Sequence, residues 1–299
     1  CVSTAATMMA HTSLGTAPIV AFGTDEQKEK YLPDLVTGKT IGAFGLTEPN
    51  AGSDAGNTQT TAVLDGNNFI INGQKAFCTN AGVANTIIIT AKLIKNNQEQ
   101  GISAFIIEAN TKGLTLGKPE KKMGWRGSDT RSVFFENVII PKENMLGSPS
   151  KGFQQFLNTL VGGRITIGAL SLGNAQGAYQ LALNYSKERE AFGRSINKFQ
   201  GVSFKLADMA TSIEAAKHLV YHAAWLKDNN KPVIKEAAMA KLFASEAAMK
   251  ICTEAIQIHG GYGYIKEYDV ERFFRDAKIL EIGEGTSEVQ RIIISRNLS

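Results

Sequence analysis

The spacing of apolar residues changes twice along this chain, near residue 40 and near residue 150. Residues 1–36 have a helical pattern, in which Thr24 or Asp25 begins a helix and Gln27 is placed for a capping-box hydrogen bond. From Lys151 onward the pattern is helical again. The chain is therefore predicted to run from helix to a different, non-helical region and back to helix.

The middle region has apolar runs of the length of strands. The turn signals between these runs are Asp65–Gly66, Asn72–Gly73 and Asn96–Asn97. Such a texture predicts a β-domain, a small barrel or sandwich with several antiparallel strands. Pro141 and the cluster at 147–150 end it, and Gly52 within it permits a positive φ.

The last region contains apolar stripes at helical spacing. One stripe consists of Met209, Ile213, Ala216, Val220 and Ala223. A second segment runs from 234 to 258, and an earlier one covers roughly 152–188. Three or four long helices with short connections predict an antiparallel bundle. The fold class is thus α+β with several domains: residues 1–39 helical, residues 40–150 a β-domain and residues 151–299 a helical bundle.

The composition describes a globular protein, since 43% of the residues are apolar and 20% are charged. The net charge of +4 is modest and forms no basic tract, so nucleic acid is not an expected partner. No apolar run approaches the length of a membrane span. Cys1, Cys78 and Cys252 lack metal-site spacing, and His218 and His222 lack a third ligand, so no metal is expected. The chain begins with cysteine inside an apolar pattern, which suggests that the natural start is missing.

The segment 281–291 places one carboxylate, Glu284, between two glycines and among apolar residues. Small neighbours let a ligand or another backbone approach closely, and burial would raise the pKa of this carboxyl group toward that of a useful base. Alternatively, the segment is the start of a helix, with Thr286 or Ser287 as its cap. These residues alone leave both interpretations open.

Three further segments are candidate ligand sites. The loop 44–56 combines a turn at Pro49 with hydroxyl groups, which suits either a phosphate or ring-edge site or a plain β-turn. Arg189 and Phe192 offer a guanidinium for phosphate and a ring for stacking, or a surface arginine and a core ring. The segment 257–264 packs three glycines after a helix, as a helix stop or as a close approach to a ligand.

Taken in order, these motifs resemble the acyl-CoA dehydrogenase family and are most similar to its short-chain (butyryl-CoA) type. The matching segments are FGLTEPNAGSDAG at 44–56, INGQKAFCTNAG at 71–82, MGWRGSDTRSVFFENVIIP at 123–141, GGRITIGA at 162–169, EREAFG at 188–193, QIHGGYGY at 257–264, RDAKI at 275–279 and EGTSEVQR at 284–291. The resemblance implies a truncated N-terminal helical domain, a middle β-domain and a C-terminal four-helix bundle, assembled as a homotetramer, a dimer of dimers.

The resemblance also implies FAD as the cofactor. The residues expected along the flavin and pyrophosphate are Phe44, Leu46, Thr47, Gly52 and Ser53, with Phe77 and Thr79 flanking the ring. Those expected to serve the FAD of a partner subunit are Arg189, Phe192, Gln200, Gln257, Gly260 and Gly261. Thr286 and Glu288 would contact FAD from the catalytic loop, and Ser53, Arg164 and Gly285 would contact the substrate.

The implied reaction is the α,β-dehydrogenation of a short-chain acyl-CoA to trans-2-enoyl-CoA, with Glu284 as the α-proton base and flavin N5 as the hydride acceptor. Isovaleryl-type relatives carry their base beside the arginine of the GGR segment, where this chain has Gly163. Electrons would pass to electron-transferring flavoprotein. An oxidase of the same fold and a truncated non-catalytic fragment are the alternatives. The expected location is the bacterial cytoplasm, or the mitochondrial matrix of a eukaryote.

Three departures from the family pattern are expected to affect the site. Val161 stands where many relatives have an aspartate that helps to bind CoA, Gly283 replaces a tyrosine, and Phe77 replaces a frequent tryptophan. The first would remove a polar contact, the second would leave room at the acyl pocket, and the third would keep an aromatic wall.

Overall fold

The computed structural model describes residues 1–298, which form two units. The β-unit contains residues 3–121 and 126–160, and the helical unit contains residues 1–2, 122–125 and the chain from 161 onward. Helices come first along the chain, then a sheet, then helices again. This order confirms the predicted fold class.

The β-unit opens with helices α1 (Val2–Met9), α2 (Ala17–Phe22) and α3 (Asp25–Val36), with a π-helical segment, Ala10–Thr16, after α1. The predicted capping box of α3 is confirmed. The backbone N–H of Gln27 donates to the Thr24 hydroxyl at 3.2 Å, and the Thr24 N–H donates to the Gln27 side chain at 3.1 Å. Two of the N–H groups that a helix start leaves unpaired are thereby satisfied.

Eight strands form one sheet in the β-unit: β1 (Gly42–Gly45), β2 (Thr61–Asp65), β3 (Asn68–Thr79), β4 (Thr86–Lys95), β5 (Gln98–Glu108), β6 (Leu114–Leu116), β7 (Thr130–Pro141) and β8 (Met145–Leu146). Their order is β6-β7-β3-β2-β4-β5-β8, and β1 pairs with β4. The pairs β1–β4 and β2–β4 are parallel and the others are antiparallel. Alternate side chains of the long strands, among them Phe69, Ile87, Phe105 and Val138, form the core on one face of the sheet.

Two of the three predicted turns are present, and the third prediction is wrong. Gly66 lies in the turn between β2 and β3, and Asn96 and Asn97, both at positive φ, connect β4 to β5. Asn72–Gly73 lies inside β3 instead, where the register with β7 shifts by a bulge. The Asn72 side chain accepts the backbone N–H of Asn137 in β7 at 2.8 Å, so the partner strand holds this dipeptide within the sheet.

The helical unit contains three long helices and two shorter ones: α4 (Gly152–Glu188, from residue 161 onward), α5 (Gln200–Asp228), α6 (Ile234–His259), α7 (Val270–Lys278) and α8 (Ser287–Arg296). A short hairpin of β9 (Glu190–Ala191) and β10 (Arg194–Ser195) separates α4 from α5. Helix α6 packs against α5, α7 and α8. The predicted apolar stripe of α5 is buried from Met209 to Ala223, as its spacing indicated.

Over residues 1–298, none of the helices combines the length and the apolar content that crossing a bilayer requires.

Candidate active site

Glu284 lies in a tight turn between a 3₁₀ segment, Ile279–Glu281, and helix α8. Its φ is 54°, and that of Gly285 is 94°. A glutamate rarely adopts this left-handed region, which costs of order 1–3 kcal/mol and is tolerated where the surroundings fix it. Thr286 then begins α8, because its hydroxyl accepts the N–H of Val289 at 3.3 Å. The cap is therefore Thr286 rather than Ser287.

The Glu284 carboxylate is covered although the residue as a whole is only half-buried. Its Oε2 is inaccessible to solvent and has no hydrogen-bond partner among residues 1–298. The carboxylate lies against Gly163 of α4, where a Cβ atom would overlap it. Burial raises the pKa of Glu284 to about 7, while Arg164 and Lys241 act to lower it. A carboxylate with a pKa in this range is suited to accept a proton near neutral pH.

Two buried cations accompany this acid in the helical unit. Arg164 of α4 is 5% exposed, and its Nε has no partner within the described part of the chain. Burial holds the pKa of this guanidinium below its usual value, although the Glu284 carboxylate acts to raise it. Lys241 of α6 is fully buried, and its Nζ donates to the Gly285 carbonyl at 2.8 Å.

Sequence reasoning selected Arg164 but missed Lys241. A signal for it was present, because Lys241 falls on the buried stripe of α6 between Ala237, Ala244 and Ala248. A lysine at a stripe position of an otherwise apolar helix face is either paired or functional.

A second candidate region lies where α4 and α6 end. Arg189, Gly260 and Gly261 line a cavity of about 450 Å³ together with aromatic side chains that include Tyr262. A Cβ atom at either glycine would meet nothing within 4 Å, so the space beside both is open. The Arg189 guanidinium lies 5.8 Å from the centre of the Tyr262 ring. The cavity therefore offers open backbone, one cation and flat apolar faces.

The other residues predicted for the same ligand do not line this cavity. Phe192 is at the tip of the β9–β10 hairpin, is 96% exposed and has a φ of 51°. Gln200 is the first residue of α5, and Gln257 lies in the last turn of α6, both exposed. Within the helical unit, these side chains are available to a ligand or another chain.

In the β-unit, a buried ion pair anchors the loop 44–56, which was predicted to contact a cofactor. Lys75 of β3 donates to the Glu48 carboxylate at 2.7 Å, and both side chains are almost completely inaccessible. The same carboxylate accepts the backbone N–H groups of Gln59 at 2.6 Å and Thr60 at 3.1 Å. Burial acts to raise the pKa of Glu48, but the Lys75 ammonium and these donors hold it below its usual value. Sequence reasoning missed this pair, which anchors both ends of the loop.

Gly52 permits a positive φ, but in this loop it does not adopt one. The turn is closed instead by reciprocal backbone hydrogen bonds of 3.0 Å between Glu48 and Ala51. Gly52 and Ser53 are exposed, and a Cβ atom at Gly52 would meet nothing within 4 Å. The loop thus presents an open edge to solvent.

Other predicted residues of this loop are tied into the β-unit. The Phe44 ring stacks on Phe156 at a centroid distance of 4.2 Å. The Leu46 carbonyl accepts from Lys75 at 3.3 Å, and the Thr47 carbonyl accepts the N–H of Ala76 at 2.8 Å. Their backbone positions are therefore fixed, while their side chains remain half-buried.

Phe77 is the clearest irregularity of the sheet. It lies at a register shift between β3 and β7, has a φ of 54° and is 66% exposed. Thr79, two residues on, is half-buried and pairs with Thr130. A large exposed ring on strained backbone beside a bulge is a feature that clusters at ligand sites.

In the part of the chain that is described, no group of three or more His, Cys, Asp or Glu side chains is arranged to hold a metal ion.

The chain matches three domain descriptions of one family. The acyl-CoA dehydrogenase N-terminal domain matches residues 1–39, the middle domain residues 43–138 and the C-terminal domain residues 150–299. A curated relative, the short-chain specific acyl-CoA dehydrogenase of Clostridium acetobutylicum, is 53% identical over 99% of this chain and 78% of its own length.

Three solved structures are also similar to this chain in sequence and in fold. Butyryl-CoA dehydrogenase from Megasphaera elsdenii is 50% identical with a TM-score of 0.97, covering 99% of this chain and 78% of its own. A structure of the electron transferring flavoprotein of Acidaminococcus fermentans contains a chain that is 52% identical with a TM-score of 0.96, with the same coverage. An acyl-CoA dehydrogenase complexed with FAD from Bacillus anthracis is 37% identical with a TM-score of 0.93, covering 98% of this chain and 53% of its own. This chain belongs to the acyl-CoA dehydrogenase family.

Proposed function

We propose that the chain catalyses the FAD-dependent α,β-dehydrogenation of a short-chain acyl-CoA thioester to the trans-2-enoyl-CoA. The observation that carries the proposal is the Glu284 carboxylate, which is covered, has no hydrogen-bond partner at Oε2 among residues 1–298, and has a pKa of about 7. An unpaired buried carboxylate is costly to a fold, so its retention on a strained turn favours a catalytic role.

The residues present fit FAD as the cofactor. In the helical unit, the open cavity with Arg189, Gly260 and Gly261 combines a guanidinium for phosphate with faces on which a flat ring can lie, and it would serve the FAD of a neighbouring subunit. In the β-unit, the exposed Phe77 ring and the anchored loop at Phe44–Ser53 would hold the flavin end. When bound, FAD supplies the acceptor for the β-hydrogen of the substrate.

Glu284 accepts the α-proton in this proposal. Its carboxylate is shielded from bulk water, which strengthens its basicity relative to an exposed glutamate. Arg164 provides a buried positive charge that partly offsets this effect and keeps a fraction of Glu284 ionised near neutral pH. Ser53, Arg164 and Gly285 would contact the substrate. Thr286 and Glu288 would contact the cofactor from the catalytic turn.

The proposed electron acceptor is electron-transferring flavoprotein, in keeping with the similarity to a chain solved in a structure of that protein. We further propose a homotetramer. The residues that would serve the FAD of a neighbouring subunit are Arg189, Phe192, Gln200, Gln257, Gly260 and Gly261. The proposed location is the bacterial cytoplasm, or the mitochondrial matrix for a eukaryotic source.

The test is anaerobic addition of butyryl-CoA to the purified flavin-loaded protein while the flavin absorbance is recorded. Bleaching of the flavin band supports the proposal. Rapid reoxidation of the bleached protein in air would indicate an oxidase instead, and a protein that binds no FAD would indicate a non-catalytic fragment.

The Glu284→Gln variant tests the base. It should bind FAD normally and lose nearly all turnover, because general-base catalysis contributes about 10²–10⁴-fold or more. Glu267→Gln, which replaces an exposed carboxylate in the same unit, serves as the control and should retain activity. Turnover retained in Glu284→Gln would mean that another group takes the proton.

A further inference from the structure

We propose that Lys241 is a positioning residue for the base: it holds the backbone of the Glu284 turn and supplies the positive charge that keeps the Glu284 carboxylate ionised. This inference rests on the proposed function of Glu284 and concerns a residue that takes no direct part in the reaction.

The geometric basis is a clamp on two consecutive carbonyl groups. Lys241 Nζ donates to the Gly285 carbonyl at 2.8 Å. The side chain of Gln290, also fully buried, donates to the carbonyls of Glu284 at 3.1 Å and Gly285 at 2.8 Å. These carbonyls belong to the two residues with left-handed backbone, so donors from α6 and α8 stabilise a conformation that is otherwise unfavourable.

The electrostatic basis is the charge of Lys241. Its ammonium group donates to a neutral carbonyl, and that contact does not compensate the positive charge. Two acids near it have partners of their own, because Glu281 pairs with Lys278 at 2.6 Å and Glu246 pairs with Arg291 at 2.7 Å. A buried ammonium is costly unless a negative charge compensates it. Among residues 1–298, Glu284 is the buried acid facing Lys241 that no such ion pair engages, whereas Glu288, which also faces Lys241, is exposed to solvent.

The charged groups facing Lys241 come from every element around it. Glu284 and Glu281 precede α8, the exposed Glu288 lies on α8, Arg164 lies on α4, and Glu246 lies on α6 itself. Burial lowers the pKa of Lys241 to about 8, with Glu284 acting in the opposite direction. Each charge thus opposes the effect of burial on the other group: Glu284 acts to raise the pKa of Lys241, and Lys241 acts to lower the pKa of Glu284.

Burial raises the pKa of Glu284, and the charges of Arg164 and Lys241 oppose that rise. Without the Lys241 charge, Arg164 alone should oppose it. Lys241→Met is expected to raise the midpoint of Glu284 ionisation by about one pH unit or more, the usual effect of losing one close opposite charge. Activity at neutral pH should therefore fall and recover at higher pH.

Two readouts test this. One is the pH dependence of kcat with butyryl-CoA. The other needs no turnover: infrared titration of the protonated Glu284 carboxyl band, identified by its absence in Glu284→Gln. Lys241→Met should shift both midpoints upward, and the control Lys250→Met, on the exposed face of the same helix, should shift neither.

Two further variants separate the hydrogen bond from the charge. Lys241→Gln keeps an N–H donor for the Gly285 carbonyl but removes the charge, so it should shift the midpoint of Glu284 ionisation upward. It also replaces Lys241→Met in the test if that variant does not fold. Gln290→Leu removes a neutral donor, so it should lower kcat and leave the midpoint unchanged.

An infrared midpoint of Glu284 that is the same in wild type, Lys241→Met and Lys241→Gln would overturn the inference. If the infrared midpoint shifts upward in the Lys241 variants but the protein never oxidises butyryl-CoA, the proposed function is refuted and the role of Lys241 stands.

Discussion

Replacing Gly163 by alanine should stabilise helix α4 and, at the same time, impair the catalysis proposed for Glu284. Gly163 lies within α4, where alanine is favoured over glycine by about 1 kcal/mol. The new methyl group would overlap the Glu284 carboxylate rather than any backbone atom. Because the carboxylate is the far end of a flexible side chain, it can move aside, and we expect the helix to keep most of its gain.

The catalytic consequence follows from the distance the carboxylate must move. Ordinary contact with the new methyl group requires the carboxylate to retreat by roughly an ångström or more, away from Gly163. A displacement of about 1 Å can cost about 100-fold in rate, which corresponds to about 2.7 kcal/mol of activation free energy. Gly163→Ala should therefore lower kcat by about two orders of magnitude while its melting temperature rises by up to about 2–4 °C.

The assay combines thermal unfolding with kcat for butyryl-CoA. Gly173→Ala is the matched control, because Gly173 lies on the same helix and a Cβ atom there would meet nothing within 4 Å. It should gain similar stability and keep its activity. A Gly163→Ala variant with the kcat of wild type would refute the placement of the base against α4.

Three further predictions concern stability. Since the pKa of Glu284 is raised to about 7 in the folded chain, its ionisation removes stability as the pH rises from about 4.5 to about 7. Glu284→Gln should therefore be more stable than wild type in urea unfolding by up to about 3 kcal/mol above pH 7 and no more stable below pH 4.5; a gain that is constant with pH would contradict this. Lys75→Met should cost about 3–5 kcal/mol by leaving the Glu48 charge buried alone, and adding Glu48→Gln should recover part of that loss; no recovery would exclude the stranded charge as the cause. Thr24→Ala should cost about 1 kcal/mol in the same assay, and a cost near zero would mean that the capping box contributes little.

The parts of the fold that the sequence predicted are those set by local pattern. The stripe from Met209 to Ala223 is buried because its residues recur at intervals of three and four, and the cap at Thr24 is in place because it depends on residues within one turn of helix. The pair Asn96–Asn97 turns as predicted for the same reason.

The failures have tertiary causes. Asn72–Gly73 has the sequence of a turn, but its side chain and backbone are engaged by β7, and a Cβ atom at Gly73 would press on Thr60. Such contacts across the sheet decide between a turn and a bulge, and neither partner is near in sequence. Gly52 permits a positive φ, yet the pairing of Glu48 with Ala51 closes the loop without one.

Some motifs acquire a structural meaning only in three dimensions. In the helical unit, Asp276 accepts the backbone N–H of Trp125 at 2.6 Å, and Arg275 donates to the Met123 carbonyl at 3.1 Å. Gly124 lies so close to the backbone of Arg275 that a side chain would not fit. The segments MGW and RDAK, about 150 residues apart in the chain, are thus two halves of one contact.

The candidate base depends in the same way on segments that are distant in sequence. The glycines on either side of Glu284 allow the turn, but Gly163 leaves the space that the carboxylate fills, and Lys241 and Gln290 hold its backbone. Because the carboxylate lies where a side chain at 163 would be, an acid at position 163 and an acid at 284 would compete for one volume. An acid introduced at position 163 would therefore have room only if residue 284 left this volume. It also follows that residues 163 and 284 together decide whether helix α4 or the turn before α8 can place an acid in this volume.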